Sequence, residues 1–436
     1  MEEYGSALIL GYGRSGRAAE RLLQAEGCQT RVLARELAGA PEVAQLLAEN
    51  TFDVCVVSPG FSVSSPWVCA VRDSGVPLIS ELELGWSRHR GKTVAVTGSN
   101  GKSTAVKWIC ELLQAAGKKA AIGGNYGIPA CETVLDQPDL EWLVLEVSSF
   151  QLETVRDFSA DVAVLLNLLP NHLDRHGTMA CYRGAKARIF GAVASGACVV
   201  PVDLLDSIRD LVPGTRDWIT FGDSPSADYC FSNGHVSGIG GATLDLSATL
   251  FESPILGACT GAAVAAVAVA CGIDLAFAES AARSFRPLPH RLERLGEIDG
   301  VVYVDDSKAT NLAAMAAALA ACGENIHLIA GGLPKESDYT FVKEILAQRV
   351  RSIYVIGQAS GAMFQAWSGV CPCVECGTLE EAFGAATRAA RAGETVLLSP
   401  GCASFDQFGS FEERGDCFKK LFIGQEHATN GASSRK

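Results

Sequence analysis

Short β-branched runs alternate with Ala/Leu-rich stretches from one end of the chain to the other. Ala7–Leu10, Asp53–Val57, Thr93–Val96, Trp142–Glu146 and Asp161–Asn167 are mostly apolar along their length rather than alternating. That is how strands read when both faces of a parallel sheet are covered. Between them lie segments of helical character, such as Ala105–Ala116 and Tyr182–Phe190. The pattern predicts an α/β chain throughout, with parallel sheets covered by helices. Two polar interruptions, Ser87–Lys92 and Arg286–His290, divide it into expected sections 1–91, 92–287 and 288–436. No repeat of solenoid period is present, and the polar end, Glu426–Lys436, is expected to fray.

Composition narrows the function. A chain of 436 residues, 48% hydrophobic, can bury substantial cores. Its net charge of −13 argues against a nucleic-acid surface, so any phosphate must be held by local loops and a few placed cations. Met1-Glu-Glu-Tyr4 lacks the basic and long apolar regions of a secretory signal, and no run reaches the about 18 apolar residues of a membrane span. A cytoplasmic protein without membrane insertion is expected. The sixteen cysteines mostly stand singly in apolar runs, as Cys55 and Cys198 do, and are expected to be buried hydrophobes. Cys371, Cys373 and Cys376 lie close together but have no fourth metal ligand nearby.

The strongest chemical signal follows Thr93–Val96: Gly98, Ser99, Asn100, Gly101, Lys102, Ser103 and Thr104 join that strand to a helix. Glycines allow backbone N–H groups to face an anion, the helix N-terminus adds partial positive charge, a lysine reaches terminal phosphates and a serine ligates Mg²⁺. The first glycine of the usual G-x-x-x-x-G-K-[ST] pattern falls on Val96, so this is a shortened nucleotide loop. A second glycine turn, Gly11–Gly16, follows the first strand and offers Gly13, Arg14 and Ser15 to a diphosphate. Where a dehydrogenase would carry an acid for the ribose stand Leu33, Ala34 and Arg35, and Arg35 also suits a 2′-phosphate, which leaves NADP open. Ser58, Pro59 and Gly60 form another tight turn at a strand's carboxyl end. Downstream, Glu146 closes a buried strand as a candidate metal anchor. His172 sits in the charged loop 170–176, and Lys186 falls on the apolar side of a helix with Tyr182 and Ile189.

In this order the pieces resemble the Mur ligase family. Leu288–Glu293, Asp305–Asn311, Gly331-Gly332 with Lys335, Ser399–Phe408 and Phe411–Gly415 extend the resemblance over nearly the whole chain, toward the members that add D-glutamate. The resemblance implies three domains: a Rossmann-like N-terminal domain for a UDP-sugar, a central P-loop ATPase-type domain and a Rossmann-like C-terminal domain that closes on it. It implies ATP, two Mg²⁺ sites, and UDP-N-acetylmuramoyl-L-alanine and D-glutamate as substrates, handled by a monomer.

By the same resemblance, Ser103 and Glu146 hold one Mg²⁺ and His172 a second, with Lys186 carbamylated by CO₂ as an oxygen ligand. Lys102 stabilises the transferred phosphoryl, and Lys308 lies near it. Arg291 and Asp306 contact the nucleotide, Asn125 and Ser148 contact substrate, and Thr310, Lys335, Ser404, Phe405 and Phe411 cradle D-glutamate. Three places depart from the family pattern. Leu256–Gly261 replaces the Asn-bearing adenine stretch, Leu33 replaces an acid at the uracil end, and Pro334 and Glu336 flank Lys335 where Asp and Gly are usual.

Overall fold

The computed structural model describes residues 3–34, 40–191, 196–335 and 338–433. Its contacts divide into two units, Met1–Phe285 and Arg286–Lys436. The described residues form three sheets, two in the first unit and one in the second.

The first sheet has four parallel strands in the order Gln29–Leu33, Ser6–Leu10, Val54–Val57 and Leu78–Ser80. Ala7–Leu10 and Val54–Val57 are almost wholly inaccessible, as the unbroken apolar runs predict. Gly16, in the helix Arg14–Ala25, packs so closely that an added Cβ would fall 2.0 Å from the Gly11 carbonyl oxygen.

The second sheet has nine strands, and its inner order places Lys92–Thr97 between Trp142–Glu146 and Val162–Leu165, all parallel. The carboxyl ends of these three neighbours deliver the glycine loop, Glu146 and the stretch leading to His172 to one edge, where ligands of open α/β sheets bind. Behind them Trp108 is fully buried, stacked on Phe251 at 4.0 Å and donating its indole N–H to Ala278 O. The third sheet orders its six strands Glu293–Ile298, Val301–Asp305, Thr395–Leu398, Ile326–Gly331, Val350–Ile356 and Cys373–Gly377.

Several expectations change. The sheets are not wholly parallel: Tyr229–Ser232, His235–Gly238 and Thr243–Asp245 form an antiparallel meander, and Glu293–Ile298 runs antiparallel to Val301–Asp305. Short hairpin-type links, not helical crossovers, join these strands, so the chain must reverse. Ser87 and Arg88 belong to the helix Glu81–Arg88 and Lys92 to a strand, leaving His89–Gly91 as the connector. Phe411–Ser433 is one helix, so the polar end continues an established hydrogen-bond ladder through Ser433. Six of the sixteen cysteines are buried and none is in a disulfide, so burial of the thiols is less general than their apolar neighbours suggest.

Candidate active site

The glycine loop opens the helix Lys102–Ala115, with Gly101 as N-cap at φ 79°, a left-handed conformation that favours glycine. Asn167 braces the loop. Its Oδ1 accepts the Ser99 and Asn100 N–H groups at 3.0 and 2.9 Å, so these donors are engaged within the protein. Ser99 donates its hydroxyl to Leu169 O, and Lys102 Nζ donates to Gly98 O at 2.8 Å and Ser99 O at 3.1 Å. Thr104 follows, half-buried, in the first helical turn.

Buried Ser103 donates to Glu146 Oε2, while Asn125 Nδ2 donates to Glu146 Oε1 at 2.6 Å. Three sequence candidates thus meet on one carboxylate that is only 3% exposed. Lys186, 1% exposed on the helix Met179–Ala187, donates to the same Gly98 carbonyl at 2.8 Å and to Thr97 Oγ1 at 3.2 Å. Burial, and then the neighbouring Lys102 charge, hold its ammonium pKa well below the usual lysine range, against an opposing pull from Glu146. The Tyr182 ring lies 4.8 Å from Lys186 Nζ.

His172 has φ 55° and caps the short helix Leu173–His176, with its ring edge-on to Phe150 at 4.8 Å. Ser148 forms a capping box with Gln151, its hydroxyl accepting the Gln151 N–H at 3.2 Å. In the first sheet, Gly13 caps the helix that Arg14 and Ser15 begin. Arg14 Nη2 donates to Gly127 O across to the Asn125 loop, and Ser58 donates to Gly11 O. Pro59 and Gly60 follow in the turn, whereas Arg35 lies outside the described residues.

Sequence reading gave no such role to the acids of the helix Glu81–Arg88. Glu81 Oε1 accepts Cys131 N–H at the start of the helix Ala130–Asp136, and Glu83 accepts the N–H groups of Arg156 and Asp157, so two buried carboxylates tie the first sheet to a helix end and a loop of the second. Burial pushes Glu81 up to about 7. An exposed-looking Glu-Leu-Glu-Leu pattern gives no hint of this.

The second unit gathers its own candidates. Asp306 is buried, with Oδ2 accepting Ser399 Oγ–H at 2.9 Å and Oδ1 accepting Leu292 N–H at 3.2 Å, and desolvation pushes its pKa up to about 7. Arg291 lies between His290 and Leu292, both at positive φ; His290 Nδ1 contacts Asp305 at 2.7 Å, and its carbonyl accepts Lys308 N–H. Lys308 Nζ lies 3.7 Å from the Phe411 ring centroid. Thr310 is half-buried just ahead of Asn311, which caps the next helix.

Backbone bonds between Leu333 and Ala403 hold the exposed Lys335 segment to the one carrying buried Ser404 and exposed Phe405. Arg414, 1% exposed, donates to Ser307 O, Ser307 Oγ, Cys402 O and Ala403 O, binding these segments together. Sequence reading quoted Arg414 within a motif without this role. His290, Glu293 and Asp305 are the grouping of metal-ligating atoms found among the described residues, and no such grouping includes Cys371, Cys373 or Cys376.

Residues 96–270 match the Mur ligase middle domain, and residues 290–402 match the Mur ligase glutamate ligase domain. The UDP-N-acetylmuramoylalanine–D-glutamate ligase of Acidobacterium capsulatum is 37% identical over 97% of this chain and 96% of its own length. The chain belongs to the Mur ligase family. Ligases of the same name from Koribacter versatilis and Solibacter usitatus are 35% and 36% identical, covering 95% and 96% of the chain and 96% and 98% of their own lengths. Among solved Mur ligases, the UDP-N-acetylmuramate-alanine ligase MurC of Thermotoga maritima superposes with a TM-score of 0.62 at 16% identity, covering 96% of this chain and 99% of its own. MurF from the same organism gives 0.62 at 19%, covering 90% and 94%. At these identities the two share the fold: the three-domain α/β architecture of Mur ligases.

Proposed function

We propose that this Mur ligase joins D-glutamate to the L-alanyl carboxylate of UDP-N-acetylmuramoyl-L-alanine in the cytoplasm, with ATP converted to ADP and phosphate, as a step of peptidoglycan precursor synthesis. The observation that carries the reading is end-to-end similarity to ligases named for D-glutamate. A carboxylate resists an amine because its oxygen is a poor leaving group. Phosphorylation gives an acyl phosphate, from which phosphate departs after the amine has added and a tetrahedral intermediate has formed.

The first strand-rich sections, 1–91 and 92–287, take the UDP-sugar and ATP, and 288–436 takes the amino acid. Lys102, at a helix N-terminus, stabilises charge on the transferred phosphoryl, with Gly98–Thr104 around the phosphates. Ser103 and Glu146 are buried hard-oxygen donors on one spot, a set that fits Mg²⁺, and His172 serves a second ion. Magnesium supplies charge neutralisation on the phosphate oxygens when bound.

Lys186 has the environment for a neutral amine, and that amine adds to CO₂ to give a carbamate with loss of one proton. Gly13, Arg14, Ser15 and Ser58–Gly60 line the sugar-nucleotide end, and Asn125 and Ser148 the reacting end. Arg291, Asp306 and Lys308 meet the nucleotide, while Thr310, Lys335, Ser404, Phe405 and Phe411 hold D-glutamate, Lys335 supplying charge for its side-chain carboxylate.

The test is phosphate release from ATP with UDP-N-acetylmuramoyl-L-alanine and, in turn, D-glutamate, L-glutamate, L-lysine, meso-diaminopimelate or no amino acid, with product masses measured. Turnover with D-glutamate alone is expected. Turnover with another amine overturns the pocket assignment, and no turnover overturns the ligase reading.

A further inference from the structure

Arg175 lies in the short helix that His172 caps, yet its guanidinium reaches out of the second sheet's loop to the first sheet. Nη1 donates to Pro59 O at 2.7 Å and Nη2 to Phe61 O at 2.6 Å, two carbonyls of the turn that also carries Ser58 and Gly60. The opposite edge of the fork is held by Glu153, with Nη2 to Oε2 at 2.5 Å and Nε to Oε1 at 3.3 Å. Its planar face covers the Phe150 ring at 4.0 Å, and Phe150 in turn meets the His172 ring. The two charged side chains are 13% and 10% exposed, so water competes little for these bonds. His176 Nδ1, 3.4 Å from Glu153 Oε1, completes the cluster.

We propose that Arg175 is a positioning residue that couples the 58–61 turn to the His172 loop, so that a sugar nucleotide seated on the first orders the second. The proposal rests on the reading of Ser58–Gly60 as part of the sugar-nucleotide site. A guanidinium can span two carbonyls and a carboxylate at once because its donors are fixed in one plane. A lysine ammonium at the same place has no such fork, and cannot also stack flat on Phe150. The coupling therefore depends on shape as well as charge.

The full-length chain and its Arg175→Lys variant distinguish the two ideas, by steady-state kinetics and by amide hydrogen exchange with and without UDP-N-acetylmuramoyl-L-alanine. In the wild type, the sugar nucleotide slows exchange in both 58–61 and 172–176. In the variant it slows 58–61 only, KM for the sugar nucleotide rises about tenfold, and KM for ATP stays within about twofold. Unchanged KM with both segments still protected overturns the coupling. Failure of the wild-type 58–61 turn to respond overturns the assignment of that turn, and the proposal with it. Should Arg175→Lys not fold, Glu153→Gln keeps both carbonyl bonds, weakens only the charged anchor, and is read by the same two measurements.

Discussion

Replacing Asp306 by Asn should make the second unit more stable at high pH while weakening ATP use. The carboxyl is buried, and its pKa is raised from 3.8 to about 7, with desolvation the leading cause. An acid with a raised native pKa binds its proton more tightly folded than unfolded. Its contribution to stability is therefore fully present below pH 3.8 and is lost as pH rises to about 7. That rise corresponds to about 4 kcal/mol over the whole range, and about 3 kcal/mol of it falls between pH 5 and pH 8.

Asparagine removes this term at little cost in hydrogen bonding. Its carbonyl can accept Leu292 N–H and its amide can donate to Ser399 Oγ, whose hydroxyl hydrogen is free to rotate. The assay is hydrogen exchange of the Val301–Asp305 strand in wild type and variant at pH 5, 6, 7 and 8, corrected for intrinsic exchange rates. The difference in opening free energy should widen by about 3 kcal/mol across that range. Parallel curves would refute the claim that burial of this carboxyl governs its ionisation. Separately, KM for ATP in the variant should rise if Asp306 contacts the nucleotide.

Lys186→Ala is expected to lower kcat by at least about a hundredfold without loss of the folded state, and wild-type activity should rise with added bicarbonate. Near-normal turnover of the variant would remove Lys186 from the metal site. Gly16→Ala should destabilise the first unit by about 1–3 kcal/mol in denaturant unfolding, because the new methyl meets a backbone carbonyl that cannot swing aside. Gly13→Ala, whose methyl meets nothing within 4 Å, is its control and should cost less than Gly16→Ala, only the loss of a glycine N-cap.

What could be read in advance follows from how locally each feature is encoded. Glu146 was legible because an apolar strand that ends in a carboxylate announces itself, and Lys186 because helical spacing puts it with Tyr182 and Ile189. The family and the α/β class came from motifs of this local kind in chain order. Arg175 reaches carbonyls 116 and 114 residues away, and Glu83 reaches N–H groups 73 and 74 residues away. Backbone acceptors and donors carry no residue identity, so no spacing in the sequence betrays such partners. The antiparallel meander of 229–245 was missed for a related reason: strand direction is set by pairing, which short apolar runs do not specify.

The Gly98 carbonyl accepts from two lysine side chains, Lys102 and Lys186, each at 2.8 Å. These lysines are accordingly one coupled element, since altering either changes the field and the acceptor that the other experiences. Single substitutions at the two positions will not sum to the double substitution, and a free energy assigned to either lysine alone will include part of its neighbour's. The same oxygen makes the orientation of one peptide unit the common control over both side chains, so a backbone change at Gly98 acts on two residues that a residue-by-residue survey would treat as separate.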